Sequence, residues 1–555
     1  DGLSSSAYGP DEAFRALGEH TGLAFFLAVA TACTVFIISY GYSRIIEQFP
    51  SGGGGYVVST RLLGEKTGLV SGAALLVDYV LTITTSMASG ADAIFSFLPA
   101  HAHAWKLPVT FVGLGILTLL NLRGVKESVT ALVPIFTVFL VTHAILLIVS
   151  IGGHLGAIAE VSHEVRTNIG ESVSALGTFG ALKLFLRSYS MGGGTYTGIE
   201  AVSNGVPMMR EPRVQTAQRT MILMALSLAI TAGGIILAYL LMHAHPEPGK
   251  TMNAVLLDRA AGHWNLGGIP LGRGFIIVTL LSEGTLLFVA AQAGFLDGPR
   301  VMANMAIDSW LPHRFAALSD RLAMNNGIML MAGAAAGALI YTRGNVSKLV
   351  VMYSINVFLT FSLSNLAMTR HWIRERAHHP RTWWQHLPAH VIALVLCATI
   401  LVVTVLEKFS EGCWLTLLVT ALLVGVCLLI RRHYRVVLEA LQQLDLALPS
   451  PAEVEHPLPD APSLEAARYD EGPTRICREH HNVKDPEPRA HVAILFVAGY
   501  SGLGRHAVLT LLRLFPRYFG GIVFVSVALL DSEAFKGADQ VEALERRTRE
   551  TLMKY

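Results

Sequence analysis

The stretch that decides the fold is SMGGGTYTGIE, residues 190–200, which lies in a long hydrophobic run. Gly192, Gly193, Gly194 and Gly198 fall within it, and each glycine costs a helix about 1 kcal/mol relative to alanine. The helix should therefore unwind here. Unpaired backbone at membrane depth is tolerated only where it lines a cavity. The stretch thus predicts a broken membrane helix that faces a polar site.

The composition around this stretch indicates a membrane protein. The chain has 555 residues, of which 52% are hydrophobic and 15% charged, and its mean hydropathy is +0.50. The net charge of +2 is too small to suggest nucleic-acid binding. The cysteines show neither a CxxC pair nor metal-ligand spacing, and no nucleophile–base set suggests an enzyme. We therefore expect no cofactor and no resident metal.

Hydrophobic runs long enough to cross a bilayer predict an all-α polytopic protein with about 12 transmembrane helices. They are 1–17, 21–44, 67–98, 107–122, 128–152, 174–204, 217–243, 273–306, 327–342, 346–370, 387–406 and 412–431. Alternate loops are richer in Lys and Arg, including those with Arg44, Arg210 and Arg370, and are predicted to be cytoplasmic. The loops AHAHAWK and HPEPGK are then external. We expect a multi-pass protein of the cell (inner or plasma) membrane with a cytoplasmic C-terminus.

A second break is predicted at DGLSSSAYGP, residues 1–10, where glycine, serines and proline interrupt the first run. The first and sixth runs hold equivalent places in two five-helix halves. Two broken helices so placed are typical of inverted-repeat transporters, which bind their substrate near the middle of the bilayer. The alternative is that the glycines only allow close helix packing.

Acidic residues at membrane depth are the first candidates for the site. A carboxylate there costs about 2.5–3.5 kcal/mol on insertion scales and is usually kept for function. Asp1, Asp78 and Glu200 are such residues. Asp78, Thr82 and Ser86 are spaced i, i+4 and i+8, so they form a polar stripe on one side of a helix.

Further polar residues accompany the stripe. Thr197 and Glu200 are an i, i+3 pair just after the glycines. Carboxylate, hydroxyl and freed carbonyl oxygens are hard ligands that suit alkali and alkaline-earth cations. Single hydroxyls can instead bond back to the i−4 carbonyl. For Asp92, Arg187 and Glu283 we expect ion pairs or interior polar contacts.

Several motifs resemble a known family. FPSGGGGYVVSTRLLGE (49–65) resembles a loop of the amino acid–polyamine–organocation (APC) superfamily. DGLSSSAY, LLVDYVLTITTSMASGADAIFSFLP and GGGTYTGIEAVSNGVPMM resemble, more narrowly, potassium importers grouped with the KUP potassium transporters. The resemblance covers residues 1–432. It implies the LeuT-type fold, a 5+5 inverted repeat plus two helices, and potassium uptake coupled to protons, with K⁺ and H⁺ as the transported ions.

The resemblance also implies roles for individual residues. The potassium-binding set would be Asp1, Tyr8, Asp78, Tyr79, Thr82, Ser86, Thr197 and Tyr353. Glu200 would carry the proton. The chain begins at Asp1 without an initiator methionine, so we expect the first helix to be truncated and the role of Asp1 to be affected.

After the membrane domain (1–432), residues 433–489 are rich in proline and charge and predict a linker. Residues 490–555 then predict a strand, a helix and a second strand of a partial α/β domain. The family resemblance implies a cytoplasmic domain like the universal stress proteins, through which the chain forms a homodimer. GYSGLGRH (499–506) lies between strand and helix, where a regulatory nucleotide is one possible ligand.

Three functions remain open. The first is a proton-coupled potassium importer, and the second is a proton-coupled amino acid or polyamine permease of the same superfamily. Acidic residues near the breaks would repel an amino acid carboxylate but would accept a polyamine. The third is a membrane sensor that does not transport.

Overall fold

The computed structural model describes most of the chain. The described residues are 2–554 without 51, 53, 125–127, 155, 157, 266–269, 320–323, 378–382, 410–411, 448–490, 498–499, 516–517 and 528–537. Asp1, most of the predicted linker and Gly499 therefore lie outside the described residues. The chain divides into two compact units, Asp1–Leu428 and Leu429–Tyr555.

The first unit is helical. Its helices are α1 (Gly9–Arg15), α2 (Ala24–Gln48), α3 (Gly55–Leu63), α4 (Glu65–Phe95), α5 (Lys106–Leu122), α6 (Ser128–Gly152), α7 (Ile158–Met191), α8 (Ile199–Asn204), α9 (Arg213–Leu241), α10 (Met252–Ala261), α11 (Leu271–Ile307), α12 (Asn325–Thr342), α13 (Val346–Arg374), α14 (Trp383–Lys408) and α15 (Cys413–Ala447), the last of which continues into the second unit.

Within the described residues, ten helices are long and apolar enough to cross a membrane, two fewer than predicted. The spans are formed by α2, α4, α5, α6, α7 with α8, α9, α11, α13, α14 and α15. The predicted run 1–17 is a 3-10 turn followed by the seven-residue α1. The predicted run 327–342 is α12, which has 18 residues and begins with two polar asparagines. Both runs are helical, but they are short or polar at one end.

The sixth run is broken where the glycines predict it. After α7 the backbone forms a 3-10 turn at Gly192–Tyr196 and becomes extended at Thr197, where ψ is 154°. Gly198 then adopts a left-handed conformation with φ of 81°, and α8 begins. The first run is interrupted in a similar way, by a 3-10 turn at Ser4–Ala7 before α1.

The glycines also permit close packing, so both interpretations of the stretch apply. A Cβ added at Gly194 would lie 2.8 Å from the Tyr8 ring, and one at Gly193 would lie 2.8 Å from the Phe358 ring. The break in the sixth run therefore packs directly against Tyr8 of the first break and Phe358 of α13.

Helix pairing follows the order of the predicted runs. The second run pairs with the seventh (α2 with α9), the third with the eighth (α4 with α11), and the fourth with the ninth (α5 with α12). The 3-10 turns of the first and sixth runs also contact each other. Four of the first five runs thus meet the run five places later.

The second unit contains the end of α15, then β1 (His491–Phe496), α16 (Gly502–Leu514), β2 (Phe519–Val525) and α17 (Ala538–Leu552). The two strands are parallel, with Ala493 opposite Ile522. This is the predicted strand–helix–strand order. Helix α15 runs to Ala447, beyond the predicted domain end at 432, because no glycine or proline follows before Pro449.

We predict that Gly198→Ala lowers the free energy of unfolding by about 1–2 kcal/mol, because alanine is strained in a left-handed conformation. Denaturant unfolding of the purified protein in detergent measures the change. Gly337→Ala on α12 is the control, since an added Cβ meets nothing within 4 Å there. Equal effects of the two substitutions would contradict the prediction.

Candidate functional site

The two helix breaks are joined by a serine. Ser5 Oγ lies 2.7 Å from the carbonyl oxygen of Thr195 and 2.6 Å from that of Gly2. Ser6 Oγ donates to the carbonyl oxygen of Leu3 at 2.7 Å. These hydroxyls give the carbonyl groups at the breaks additional hydrogen-bond donors within the protein.

Four hydroxyl groups from four segments meet beside the breaks. Tyr8 Oη lies 3.2 Å from Thr197 Oγ1, and Tyr353 Oη lies 3.2 Å from Thr82 Oγ1. Thr197 also donates to the Gly194 carbonyl oxygen at 2.8 Å, and Thr82 to that of Asp78 at 3.0 Å. All four side chains are buried, and Tyr353 also interacts with Thr197. We call Tyr8, Thr82, Thr197 and Tyr353 the hydroxyl cluster.

Two buried carboxylates lie near this cluster. Asp78 is one helical turn from Thr82 on α4 and is 9% exposed, and its Oδ1 is buried without a hydrogen-bond partner in the described structure. Glu200 on α8 is 6% exposed, and its Oε1 accepts a hydrogen bond from Gly55 N at 2.6 Å. The two acids interact electrostatically with each other.

Among the described residues, neither acid has a cationic side chain as partner. No ion pair found among the described residues includes Asp78 or Glu200. A buried carboxylate that lacks a positive partner is costly unless it is protonated or binds a cation. Added positive charge, from a proton or a cation, would therefore stabilise the two acids.

The other predicted residues fall in different places. Ser86 is fully buried on α4, one turn beyond Thr82, and its hydroxyl has no hydrogen-bond partner among the described residues. Tyr79 follows Asp78 directly on α4, so it lies about 100° around the helix from the stripe. Its hydroxyl accepts from Asn204 Nδ2 at 2.6 Å. Asp1 lies outside the described residues.

Sequence reasoning missed the surroundings of Glu200. A Cβ at Gly55 would lie 3.1 Å from Glu200 Oε1 and 3.1 Å from the hydroxyls of Ser71 and Ser364. Tyr42 also interacts with Glu200. The glycine-rich stretch at 51–55 could have indicated this contact. Its resemblance to a family loop was noted, but its backbone N–H groups were not considered as donors to a carboxylate.

A polar cavity of about 320 Å³ reaches the hydroxyl cluster at Tyr8. Its wall includes His103, Lys106 and residues 247–251, from the loops that the Lys and Arg distribution places outside. We call it the outer cavity. Among its acids, Asp92 pairs with Lys106 at 2.5 Å, as expected for an interior ion pair, and Asp11 pairs with Arg15.

Sequence comparison agrees with this architecture. Residues 5–437 match the family described as amino acid permease. The chain belongs to the amino acid permease family.

As a permease of this family, the chain is a transporter of the APC type and a multi-pass membrane protein. It is 32% identical over 453 residues to the potassium transporter KimA of Bacillus subtilis, which covers 80% of this chain and 71% of that protein. It is 25% identical over 349 residues to an uncharacterized transporter, Rv1999c, of Mycobacterium tuberculosis, covering 62% and 71% of the two chains.

One solved structure also matches, that of a manganese transporter of Eremococcus coleocola with an aromatic bis-isothiourea substituted compound. It covers 77% of this permease and 92% of its own chain, with 12% identity and a TM-score of 0.39. A score this low adds nothing to the family assignment.

We predict that Gly194→Ala reduces transport at least about tenfold, because the added Cβ would lie 2.8 Å from Tyr8 Cε2 and would move the Tyr8 hydroxyl from Thr197. Tyr8→Phe should reduce transport to a similar degree. Uptake into proteoliposomes measures both. Gly115→Ala on α5, which meets nothing within 4 Å, is the control; unchanged transport in Gly194→Ala would argue against the cluster.

Proposed function

We propose that this permease imports potassium ions and couples their uptake to protons. The observation that carries the proposal is the buried Asp78 carboxylate beside the hydroxyl cluster, which among the described residues has an oxygen without a hydrogen-bond partner and forms no ion pair. A bound cation would supply the missing positive charge. The similarity to the potassium transporter KimA supports potassium as that cation.

The chemistry of the cluster favours a monovalent metal ion. Its side-chain ligands are oxygens, and each hydroxyl can turn a lone pair toward a cation once it gives up its present hydrogen bond. Sites for Ca²⁺ gather several carboxylates. Here Asp78 is one helical turn from a cluster hydroxyl, whereas an oxygen of the second acid, Glu200, accepts from Gly55 N. Carbonyl oxygens at the breaks can complete the replacement of an ion's hydration shell.

A second candidate is an amino acid or polyamine, because the matched family is described as amino acid permease. An amino acid brings its own carboxylate, which Asp78 and Glu200 would repel. A polyamine brings only positive charge and fits the electrostatics, although it would need a longer cavity than a single ion. The same uptake assay distinguishes these substrates.

Proton coupling is assigned to Glu200. Its carboxylate interacts with Asp78, so the charge on one acid changes the cost of charge on the other. A proton on Glu200 would lower the negative charge beside the cation, and its release would raise it. Occupancy by proton and by potassium is therefore linked.

The wider architecture supports this reading. The pairing of the first four runs with the sixth to ninth runs is the arrangement expected of a 5+5 inverted repeat of the LeuT type, with substrate at the two broken helices. We also propose a cytoplasmic C-terminus and a homodimer formed through the second unit. Its likeness to universal stress proteins and nucleotide binding near residues 499–506 remain predictions.

We predict that Asp78→Asn reduces gradient-driven rubidium or potassium uptake into proteoliposomes at least about tenfold, because a ligand charge worth 1.4 kcal/mol changes binding tenfold. Asp92→Asn is the matched control on the same helix, since Lys106 already neutralises that acid. Uptake of putrescine or an amino acid, without rubidium uptake by folded wild type, would overturn the potassium assignment.

We predict that Glu200→Gln retains cation uptake but loses its dependence on an inward proton gradient, because glutamine cannot release a proton. Rubidium uptake is measured at equal membrane potential with and without the pH gradient. Glu211→Gln, an exposed acid that pairs with Arg213, is the control. Gradient dependence that survives in Glu200→Gln would remove the assigned role.

A further inference from the structure

A second buried acid lies away from the hydroxyl cluster. Glu283 on α11 is 1% exposed, and its Oε2 faces His143 Nε2 on α6 across 3.7 Å. His143 is fully buried. Neither of these two atoms has a hydrogen-bond partner in the described structure.

The histidine's other nitrogen fixes the chemistry of the contact. His143 Nδ1 lies 3.0 Å from the carbonyl oxygen of Phe139, which can only accept, so Nδ1 carries a hydrogen. In a neutral imidazole Nε2 is then an acceptor. An ionised Glu283 Oε2 is an acceptor as well. Two buried acceptors facing each other are unfavourable unless one of them holds a proton.

The remaining oxygen of Glu283 is already occupied. Oε1 accepts from Asn253 Nδ2 at 3.0 Å, and Asn253 Oδ1 in turn accepts from the Tyr239 hydroxyl. These donors fix the carboxylate with Oε2 directed at the histidine. The proton must therefore lie on Oε2 or on His143 Nε2.

The pair has a route to water. Glu283 forms part of the wall of the outer cavity, together with Tyr8, Asp11, Glu12 and Asp92. A proton from the cavity can thus reach the pair, and the same cavity ends at the hydroxyl cluster.

The other charged groups around the pair have partners of their own. On α4, Asp92 pairs with Lys106 of α5. On α1, Asp11 pairs with Arg15, and Glu12 accepts from Ser347 Oγ at 2.7 Å. From α9 and α10 the facing groups are the Tyr239 hydroxyl and the Asn253 amide. The contact between Glu283 Oε2 and His143 Nε2 therefore still needs a proton to become a hydrogen bond.

We propose that His143 and Glu283 form a proton-binding site that exchanges protons with the outer cavity. The site binds one proton and needs no potassium, while its part in coupling rests on the proposed function. A histidine and a glutamate in the unfolded chain hold no proton between them above about pH 6.5. A proton held between the two folded side chains is lost on unfolding above that pH, so the stability that the pair contributes falls as the pH rises.

The test is the pH dependence of unfolding of the full chain in detergent, without potassium. Glu283→Gln carries an N–H that can face His143 Nε2 at every pH. Above about pH 6.5, we expect the ratio of unfolding constants, wild type to Glu283→Gln, to rise about tenfold per pH unit for as long as the folded pair holds a proton that the unfolded chain has lost. Glu247→Gln, an acid of the outer cavity on an exposed loop, should leave that pH dependence unchanged.

His143→Gln provides the same test if Glu283→Gln does not fold, because its amide can donate to Glu283 Oε2 at every pH. A ratio that stays constant with pH in a folded variant would overturn the proposal. The readout is unfolding, so this result is independent of potassium uptake. Absence of rubidium flux would reject the proposed function and leave the proton site standing.

Discussion

The contact between Ser5 Oγ and the carbonyl oxygen of Thr195, 2.7 Å long, joins the two helix breaks on which the candidate site depends. Unwound backbone at membrane depth must find partners within the protein, because lipid offers none. Here each break supplies partners to the other, and Tyr8 packs against Gly194 at the same place. The constraint that satisfies the backbone therefore also positions the Tyr8 and Thr197 hydroxyls, which belong to opposite breaks.

Charge compensation separates the centre of the protein from its outer cavity. In the cavity, Asp11 and Asp92 are each neutralised by a basic side chain close by. No described basic side chain pairs with Asp78 or Glu200, and the Oε2 atom of Glu283, at the wall of the cavity, faces His143. A folded protein does not keep such charges uncompensated in a low dielectric. Under the proposed function, a bound cation or a proton supplies the compensating charge at these acids.

Features that depend on a few neighbouring residues could be predicted from the sequence, whereas contacts between residues far apart in the sequence could not. The glycines at 192–194 predicted the break, and the spacing of Asp78 and Thr82 predicted their common face, because helix propensity and periodicity act over a few residues. The partners of those residues could not be found in this way. Tyr353, which is 271 positions from Thr82, entered only through family resemblance, and the contact of Gly55 with Glu200 was missed. The runs 1–17 and 327–342 are not among the ten described helices that are long and apolar enough to cross a membrane, because the first is divided by a 3-10 turn and the second begins with two asparagines.

The helices that carry Asp78 and Glu283, α4 and α11, are held together differently from the two breaks. Helices α4 and α11 meet where a Cβ on Gly90 would lie 2.9 Å from the carbonyl oxygen of Gly284, so neither position has room for a larger residue. Such close backbone packing of small residues is a fixed contact in membrane proteins. Asp78 and Glu283 therefore sit on one closely packed pair of helices. Tyr8 and Thr197, by contrast, are held by hydroxyl hydrogen bonds that can be exchanged for bonds to an ion. Binding of an ion should therefore change the conformation of the breaks more than that of the α4–α11 pair, which carries Asp78 and Glu283.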